Sequence, residues 1–181
     1  MFVDTHCHLD FLPQPAQQAE QARKQGVGVI VVPAVEPSNF EAVRELAHSL
    51  PGVGYCLGLH PCSVNGLEEQ ALVLLKNQLE AHHADPRLLA VGEIGLDLFE
   101  QGLRQDRMNH FFIEQLRLAR HYELPVVLHV RKAQDQVLAG LRRFGIRQGI
   151  AHAFNGSEQQ AQAYVAQGLV LGFGGASRGR A

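Results

Sequence analysis

The chain is a nearly regular succession of short apolar runs and amphipathic segments, and this alternation restricts its fold more than any other feature. Most of the runs are continuously apolar, which is typical of parallel strands covered on both faces. Strands that alternate with helices predict an α/β fold with right-handed crossovers and one parallel sheet. The predicted strands cover residues 2–6, 27–33, 53–59, 88–93, 126–129, 149–152 and 169–173.

Amphipathic segments predict the helices between these strands. Apolar residues recur at helical spacing from Phe40 to Leu50 and again from Met108 to Tyr122. A third helix begins at Ser157, whose hydroxyl can cap it while Gln160 reaches back, and it ends at Gly168. No linker or low-complexity tract interrupts the pattern, so we expect a single domain over residues 1–181.

Composition restricts the class of protein. The 181 residues are 46% hydrophobic, enough for one substantial core. The net charge of −2 argues against a broad basic surface that coats nucleic acid or an anionic membrane. A nucleic-acid substrate remains compatible with this charge, because bound metal ions can provide local positive charge.

Cysteine usage and hydropathy indicate the compartment. The three cysteines are odd in number and follow no CxxC spacing, which favours reduced thiols. Cys62 follows His60 and Pro61 closely, so it is either a ligand or, as we favour, a small apolar residue. No apolar run approaches the roughly 20 residues that span a bilayer, and no basic leader is present. We expect a soluble cytoplasmic protein without a membrane partner.

Metal-capable side chains follow the predicted strands. In an extended segment His6 and His8 point to the same side while Cys7 points away, so both imidazoles can converge on one ion. Because parallel strands end at a common edge, residues at these ends are expected to meet there, where α/β folds place their chemistry. The candidate residues at strand ends are Asp4, His6, His8, His60, Glu93, His129 and His152.

This donor set indicates a metal-dependent hydrolase. Imidazoles and a carboxylate suit zinc or manganese and, less ideally, magnesium. Four histidines and Glu93 are too many ligands for one open site, so we expect two divalent ions that share Glu93 and activate a water. Gly92 and Gly95 are expected to leave room for ions and substrate. Asp4 either orients a histidine or forms a turn.

Asp97 is open to three interpretations from the sequence: it supports Glu93, it supports Arg131, or it is a solvated loop acid.

Five segments resemble the TatD family of metal-dependent hydrolases, which are deoxyribonuclease-like members of the amidohydrolase superfamily. The resemblance implies a distorted (β/α) TIM-barrel-like fold with two divalent metals. One metal would be bound by His6 and His8 and the other by His129 and His152, with Glu93 bridging them. By analogy His60 and Arg131 would bind a substrate phosphate, although Arg131 suits a surface salt bridge equally well. The segments are DTHCHLD (4–10), GLHP (58–61), VGEIGLD (91–97), LHVR (128–131) and HAFNGS (152–157).

The chain departs from the family pattern after its seventh strand. The pattern continues to a helix, an eighth strand that ends in a metal-binding aspartate, and a closing helix. This sequence ends at Ala181 with no helical pattern after Gly174, and a complete barrel typically needs about 250 residues. We therefore expect an incomplete barrel of seven strands and six helices whose first and seventh strand edges are unpaired. One explanation, which we favour, is that the chain is a fragment. The other is that a neighbouring subunit fills the gap between the first and seventh strands, so the oligomeric state stays open.

The leading hypothesis from the sequence is a metal-dependent phosphodiesterase that acts on DNA as an exonuclease, with Glu93 in the catalytic centre. One alternative is another ester or amide hydrolase of the superfamily, such as an aminoacyl-tRNA deacylase; a glutamate bridge favours the nuclease-like branch. A second alternative is an inactive metal- or phosphate-binding fragment. The helix beginning at Ser157 offers either a weak phosphate site or simple capping, which we favour.

Overall fold

Seven parallel strands form one curled sheet in the structure, a computed structural model that describes residues 1–174. Each strand pairs with its neighbours in sequence, so the sheet order is β1 to β7, with β1 and β7 at its edges in the described part of the chain. This confirms the predicted parallel α/β fold. The strands are β1 Phe2–Asp4, β2 Val27–Pro33, β3 Val53–Leu57, β4 Leu88–Asp97, β5 Val126–Arg131, β6 Gly149–Ala151 and β7 Leu169–Leu171.

Six α-helices connect the strands, as the sequence predicts. The capping box before α6 is present: Ser157 Oγ accepts from Gln160 N at 3.2 Å, and Gln160 Oε1 accepts from Ser157 N at 3.1 Å. Gly168 ends this helix in the left-handed region (φ 99°). The helices are α1 Pro15–Lys24, α2 Phe40–Ser49, α3 Gln70–His82, α4 Gln105–His121, α5 Gln134–Phe144 and α6 Glu158–Gln167.

The core lies on both faces of the sheet. The larger cluster fills the space between strands and helices, with Leu116 on α4 and Val32 on β2 fully buried. A smaller cluster of Val31, Cys56 and neighbouring side chains packs on the opposite face, since successive strand residues point to opposite sides. Burial on both faces explains why most strands read as continuous apolar runs.

The edge strand β1 departs from this pattern. Its residues are exposed, and it ends at Asp4 rather than at His6 as predicted. The physical reason is that β1 pairs only with β2 in the described chain, so one side of the strand has no neighbour. The predicted absence of a helix after Gly174 concerns residues 175–181, which lie outside the described residues.

Gly92 and Gly95 have a packing role in the structure, and the room predicted there for ions and substrate stays a prediction. Gly95 has φ 148°, and a Cβ there would overlap the carbonyl oxygen of His129 on β5. A Cβ on Gly92 would lie 2.6 Å from the Cβ of Val127. Both glycines therefore allow β4 and β5 to pack closely, and β4 continues past Glu93 to Asp97 instead of ending at Glu93.

None of the helices within residues 1–174 has the length and apolar character to cross a membrane.

Candidate metal centre

The Glu93 carboxylate lies at the centre of the predicted ligands and is 1% exposed. Its Oε2 atom faces the first histidine pair, 2.7 Å from His6 Nε2 and 3.4 Å from His8 Nε2. Its Oε1 atom faces the second pair, 2.5 Å from His152 Nε2 and 3.1 Å from His129 Nδ1. The five predicted ligands therefore converge, and each oxygen of one carboxylate serves a separate pair.

The histidines of the first pair are positioned by the loop after β1. Cys7 N donates to Val31 O at 3.0 Å, which fixes the loop against β2. Asp4 Oδ1 accepts from His6 N at 3.2 Å, so Asp4 forms a turn at the strand end, one of its two predicted roles. The His6 ring stacks on the His152 ring at 3.8 Å, which brings the ends of β1 and β6 together across the curled sheet.

The second pair is positioned by β5 and β6. His129 lies within β5, and its Nε2 atom is 2.8 Å from Asp97 Oδ2. Asp97 is 1% exposed, and its Oδ1 atom accepts from Phe99 N and Glu100 N at 2.9 Å each. Of the three interpretations of Asp97, the solvated loop acid is therefore wrong. Asp97 is a buried carboxylate that orients His129, as carboxylates commonly orient metal-binding histidines.

The charges of the centre are strongly coupled. Burial raises the pKa of Glu93, but the neighbouring imidazoles of His129, His152, His6 and His60 outweigh burial and hold that pKa well below its usual range. Burial lowers the pKa of His129, yet the carboxylates of Glu93 and Asp97 raise it overall. Glu93 is therefore ionised at neutral pH.

His152 differs from His129 because burial, together with charge from His6 and His129, lowers its pKa overall. A lowered pKa keeps the His152 ring neutral, the form that binds a metal ion.

Buried nitrogen atoms of two histidines also indicate that these residues can hold divalent cations. Among the described residues, His8 Nδ1 and His152 Nε2 are buried and lack a hydrogen-bond partner. His152 Nε2 lies 2.5 Å from Glu93 Oε1, but the pair does not meet hydrogen-bond geometry. Buried polar nitrogens without a partner are rare in folded proteins, and a cation would provide the missing partner for His152 Nε2. Two groups, His6–His8–Glu93 and Glu93–His129–His152, each bring three ligand atoms within 4.8 Å of one another.

His60 lies inside the centre. Its Nε2 atom is 3.2 Å from His129 Nδ1 and 3.4 Å from Glu93 Oε1. Its Nδ1 atom accepts from Cys62 N at 3.1 Å, so in the neutral ring Nε2 carries the proton. This atom is a hydrogen-bond donor that faces His129 Nδ1 and Glu93 Oε1.

Cys62, which the sequence favours as a small apolar residue, lies beside the candidate ligands. It is exposed, with Sγ 3.9 Å from Asp97 Oδ2, and it forms a third group with His60 and His129 whose ligand atoms lie within 4.8 Å. Partial burial of the thiol, then the charges of Asp97 and Glu100, raise the pKa of Cys62 to about 11. The closeness of Cys62 to His60 in the sequence is the signal that favours a ligand role.

Arg131 lies at the rim of the centre and is 47% exposed on its side chain. Its Nη1 atom is 3.7 Å from Asp97 Oδ2, and its guanidinium lies 4.2 Å from the ring centroid of Phe99. A cavity of about 620 Å³ connects Arg131 with His129 and His152. Sequence reasoning missed Phe99 and Lys132 in the lining of this cavity, although the Arg-Lys pair at the end of β5 was a visible signal.

The Ser157 hydroxyl is used for capping α6, as favoured from the sequence.

The chain is similar in sequence and structure to known proteins of one family. The family model described as TatD related DNase matches residues 3–180. The uncharacterized metal-dependent hydrolase YjjV of Escherichia coli K12 is 41% identical over 178 residues, which cover 96% of this chain and 68% of that protein. Its crystal structure superimposes with a TM-score of 0.88 at 40% identity, covering 94% of this chain and 66% of that one. The chain thus spans about two thirds of the length of these relatives.

Two further relatives carry names that specify an activity. The human deoxyribonuclease TATDN3 is 34% identical over 92% of this chain and 65% of its own length. The 3'-5' ssDNA/RNA exonuclease TatD of Pantoea is 29% identical over 91% of this chain and 63% of its own length. The family match over nearly the whole chain, together with the shared fold, shows that this chain belongs to the TatD family of metal-dependent hydrolases.

Proposed function

We propose that the protein hydrolyses phosphodiester bonds of DNA with two divalent metal ions, magnesium, manganese or zinc, acting as an exonuclease in the cytoplasm. The observation that carries this proposal is the Glu93 carboxylate, whose two oxygens face separate histidine pairs. This is the arrangement expected of a ligand shared by two ions. Three free thiols agree with a reducing compartment.

When bound, two divalent ions lower the pKa of a water molecule and neutralise charge on a phosphoryl group. The chain's own residues prepare the site for this. Asp97 accepts a hydrogen bond from the Nε2–H group of His129. In the neutral ring this leaves His129 Nδ1 unprotonated, and Nδ1 faces Glu93. His60 holds its proton on Nε2 and can donate it in a hydrogen bond to a substrate oxygen. Arg131 at the rim adds a guanidinium that matches phosphate geometry.

DNA as substrate is supported by the names of two relatives, the human deoxyribonuclease and the bacterial 3'-5' exonuclease. The cavity beside His129 adds support, since it is lined by Arg131 and Lys132 in a protein whose net charge is −2. Positive charge concentrated at a single cavity favours local capture of a phosphate chain.

Binding without catalysis is a second candidate function, and one observation favours it. Within the described residues, the group formed by His6, His8 and Glu93 contains a single carboxylate. A site with fewer acidic ligands holds a hard cation such as Mg²⁺ less firmly. The two candidates differ in whether bound metal leads to cleavage.

The test is release of nucleotides from a fluorescent single-stranded oligodeoxynucleotide with added Mg²⁺ or Mn²⁺. Glu93→Gln keeps the shape of the side chain and removes its charge, so we expect activity to fall at least about a hundredfold. Glu45→Gln, at an exposed position on α2, is the matched control and should leave activity unchanged.

Equal cleavage by the wild type and the Glu93→Gln variant would refute the proposal. Calorimetric titration with Mn²⁺ that detects binding, together with no cleavage of any oligonucleotide, would favour the binding function instead.

A further inference from the structure

Two cations stack on one aromatic ring beside the centre. Arg131 and Lys132 follow each other at the end of β5, and Phe99 follows the end of the neighbouring β4. The guanidinium of Arg131 lies 4.2 Å and the ammonium of Lys132 lies 4.8 Å from the Phe99 ring centroid. We call these three side chains the cationic platform. Stacking on the ring orients two side chains that would otherwise move freely in solvent.

The backbone at Lys132 is strained. Lys132 has φ 52°, a left-handed conformation that costs a residue with a Cβ about 1 kcal/mol or more. Ala153, two residues after the end of β6, has φ 44° and lines the same cavity. Two of the four non-glycine residues with positive φ among the described residues thus lie at this cavity. Strain of this kind is concentrated at binding sites, where it directs a side chain toward a ligand.

The platform carries positive charge that its neighbours do not neutralise. Arg131 lies 3.7 Å from Asp97, but that carboxylate already accepts hydrogen bonds from His129 and two backbone amides. Lys132 makes no salt bridge with any residue of the described chain. Two exposed cations, of which only Arg131 lies near a buried carboxylate, leave a net positive rim available to an anion.

The cationic platform lies close enough to the metal centre to bind a second phosphate of the same nucleotide chain. Asp97 contacts His129 at 2.8 Å and Arg131 at 3.7 Å, so the platform is one side chain away from the ligands of the centre. The cavity of about 620 Å³ joins both places and includes the polar side chains of Gln134 and Asn155. A phosphate held at the centre would therefore have its neighbour along a nucleotide chain near Lys132.

We propose that Lys132 and Arg131, both oriented by Phe99, bind the phosphate adjacent to the one at the metal centre, so that the protein selects single-stranded polynucleotides over phosphodiesters with one phosphate. This inference rests on the proposed function for the phosphate at the centre. Phe99 acts as a positioning residue, since it holds the two cations and does not itself touch the phosphate.

The main test compares two substrates. Lys132→Asn keeps a residue that tolerates the left-handed backbone while removing the charge. We expect kcat/KM for a short oligodeoxythymidylate to fall about tenfold, and kcat/KM for bis(p-nitrophenyl) phosphate, which has one phosphate, to change less than about twofold. Lys132→Arg should retain most of the activity on the oligonucleotide. Lys76→Asn, an exposed position on α3, is the matched control and should change neither value.

Binding without turnover separates this inference from the proposed function. In the absence of divalent cations, the affinity for the oligonucleotide should fall with rising salt, and Lys132→Asn should reduce that slope by about one. Phe99→Trp would introduce a tryptophan into a chain that has none, so its fluorescence would report binding at the platform directly. An oligonucleotide that lacks bases should change this fluorescence as the normal one does, because the platform recognises phosphate.

Each outcome decides the matter. An unchanged salt slope and unchanged kcat/KM in Lys132→Asn would overturn the platform even if the wild type cleaves DNA. A response that requires bases would replace phosphate binding with base stacking. Binding that depends on Lys132 in a protein that cleaves nothing would support the platform and refute the proposed function.

Discussion

The hydrogen bond between Asp97 and His129 allows the sharpest test of how the centre is built. Phe99 N and Glu100 N both donate to Asp97 Oδ1, so an asparagine in this position must keep its oxygen there. Its amide nitrogen would then face His129 Nε2, 2.8 Å away in the native protein. Two N–H donors cannot pair, so His129 must move its proton to Nδ1, the atom 3.1 Å from Glu93 Oε1.

The consequence for metal binding follows from this proton. A protonated Nδ1 has no lone pair for a cation at the group formed by Glu93, His129 and His152. Loss of an orienting carboxylate typically lowers metal affinity by about 10–100-fold, which corresponds to about 1.4–2.7 kcal/mol. We expect Asp97→Asn to weaken this group by that amount in calorimetric titration with Mn²⁺ or Zn²⁺.

Asp85 provides a matched control in the same chain. Its Oδ2 atom pairs with His48 Nε2 at 2.8 Å, and its Oδ1 atom accepts from Arg87 N at 2.9 Å, away from the centre. Asp85→Asn therefore removes a similar carboxylate–histidine contact and should lower thermal stability without changing metal affinity. Unchanged metal affinity in Asp97→Asn, or an equal loss of affinity in both variants, would show that Asp97 does not orient His129.

The remaining predictions concern pH, relative affinity and capping. The pKa of Glu93 is lowered on folding, so the ionised carboxylate stabilises the fold above the unfolded pKa, and this stabilisation is lost as pH falls through the folded pKa. Chemical denaturation of the metal-free protein at several pH values should show this loss of stability. The loss should be smaller in Glu93→Gln. His129 has the opposite sign, since its raised pKa stabilises the metal-free fold at low pH and this effect disappears as pH rises through the raised value. Metal should bind more tightly at His129 on β5 and His152 after β6 than at the pair after the exposed strand β1, and two equally tight sites by calorimetry would contradict this. Ser157→Ala should lower the free energy of unfolding by about 1 kcal/mol and leave metal affinity unchanged.

Local chemistry explains which features could be predicted from the sequence. The strand at Val27–Pro33 has the predicted bounds, and Ser157 and Gly168 delimit α6 as expected, because apolar runs and capping residues act within a few positions of themselves. The five candidate ligands converge because each lies in the C-terminal half of a parallel strand or just after it, and such ends meet at one edge.

Long-range pairing explains what could not be predicted. The pairing of β4 with β5 shifts register between Val91 and Ile94, and this shift carries β4 on to Asp97. That extension places Asp97 beside His129, a contact between residues 32 positions apart. No periodicity within either segment specifies such a shift, so the contact of Asp97 with His129 was not among the three interpretations that the sequence offered.

The sequence by itself determined the parallel α/β architecture and the set of donors at its edge, since both follow from residue type and short-range periodicity. The tertiary structure decided which oxygen of Glu93 faces each histidine pair. It also decided that Asp97 accepts a hydrogen bond from His129 and that Arg131 and Lys132 both stack on Phe99. These arrangements depend on sheet curl and on strand register. Both arise from packing among segments far apart in the chain, where small shifts change which atoms meet.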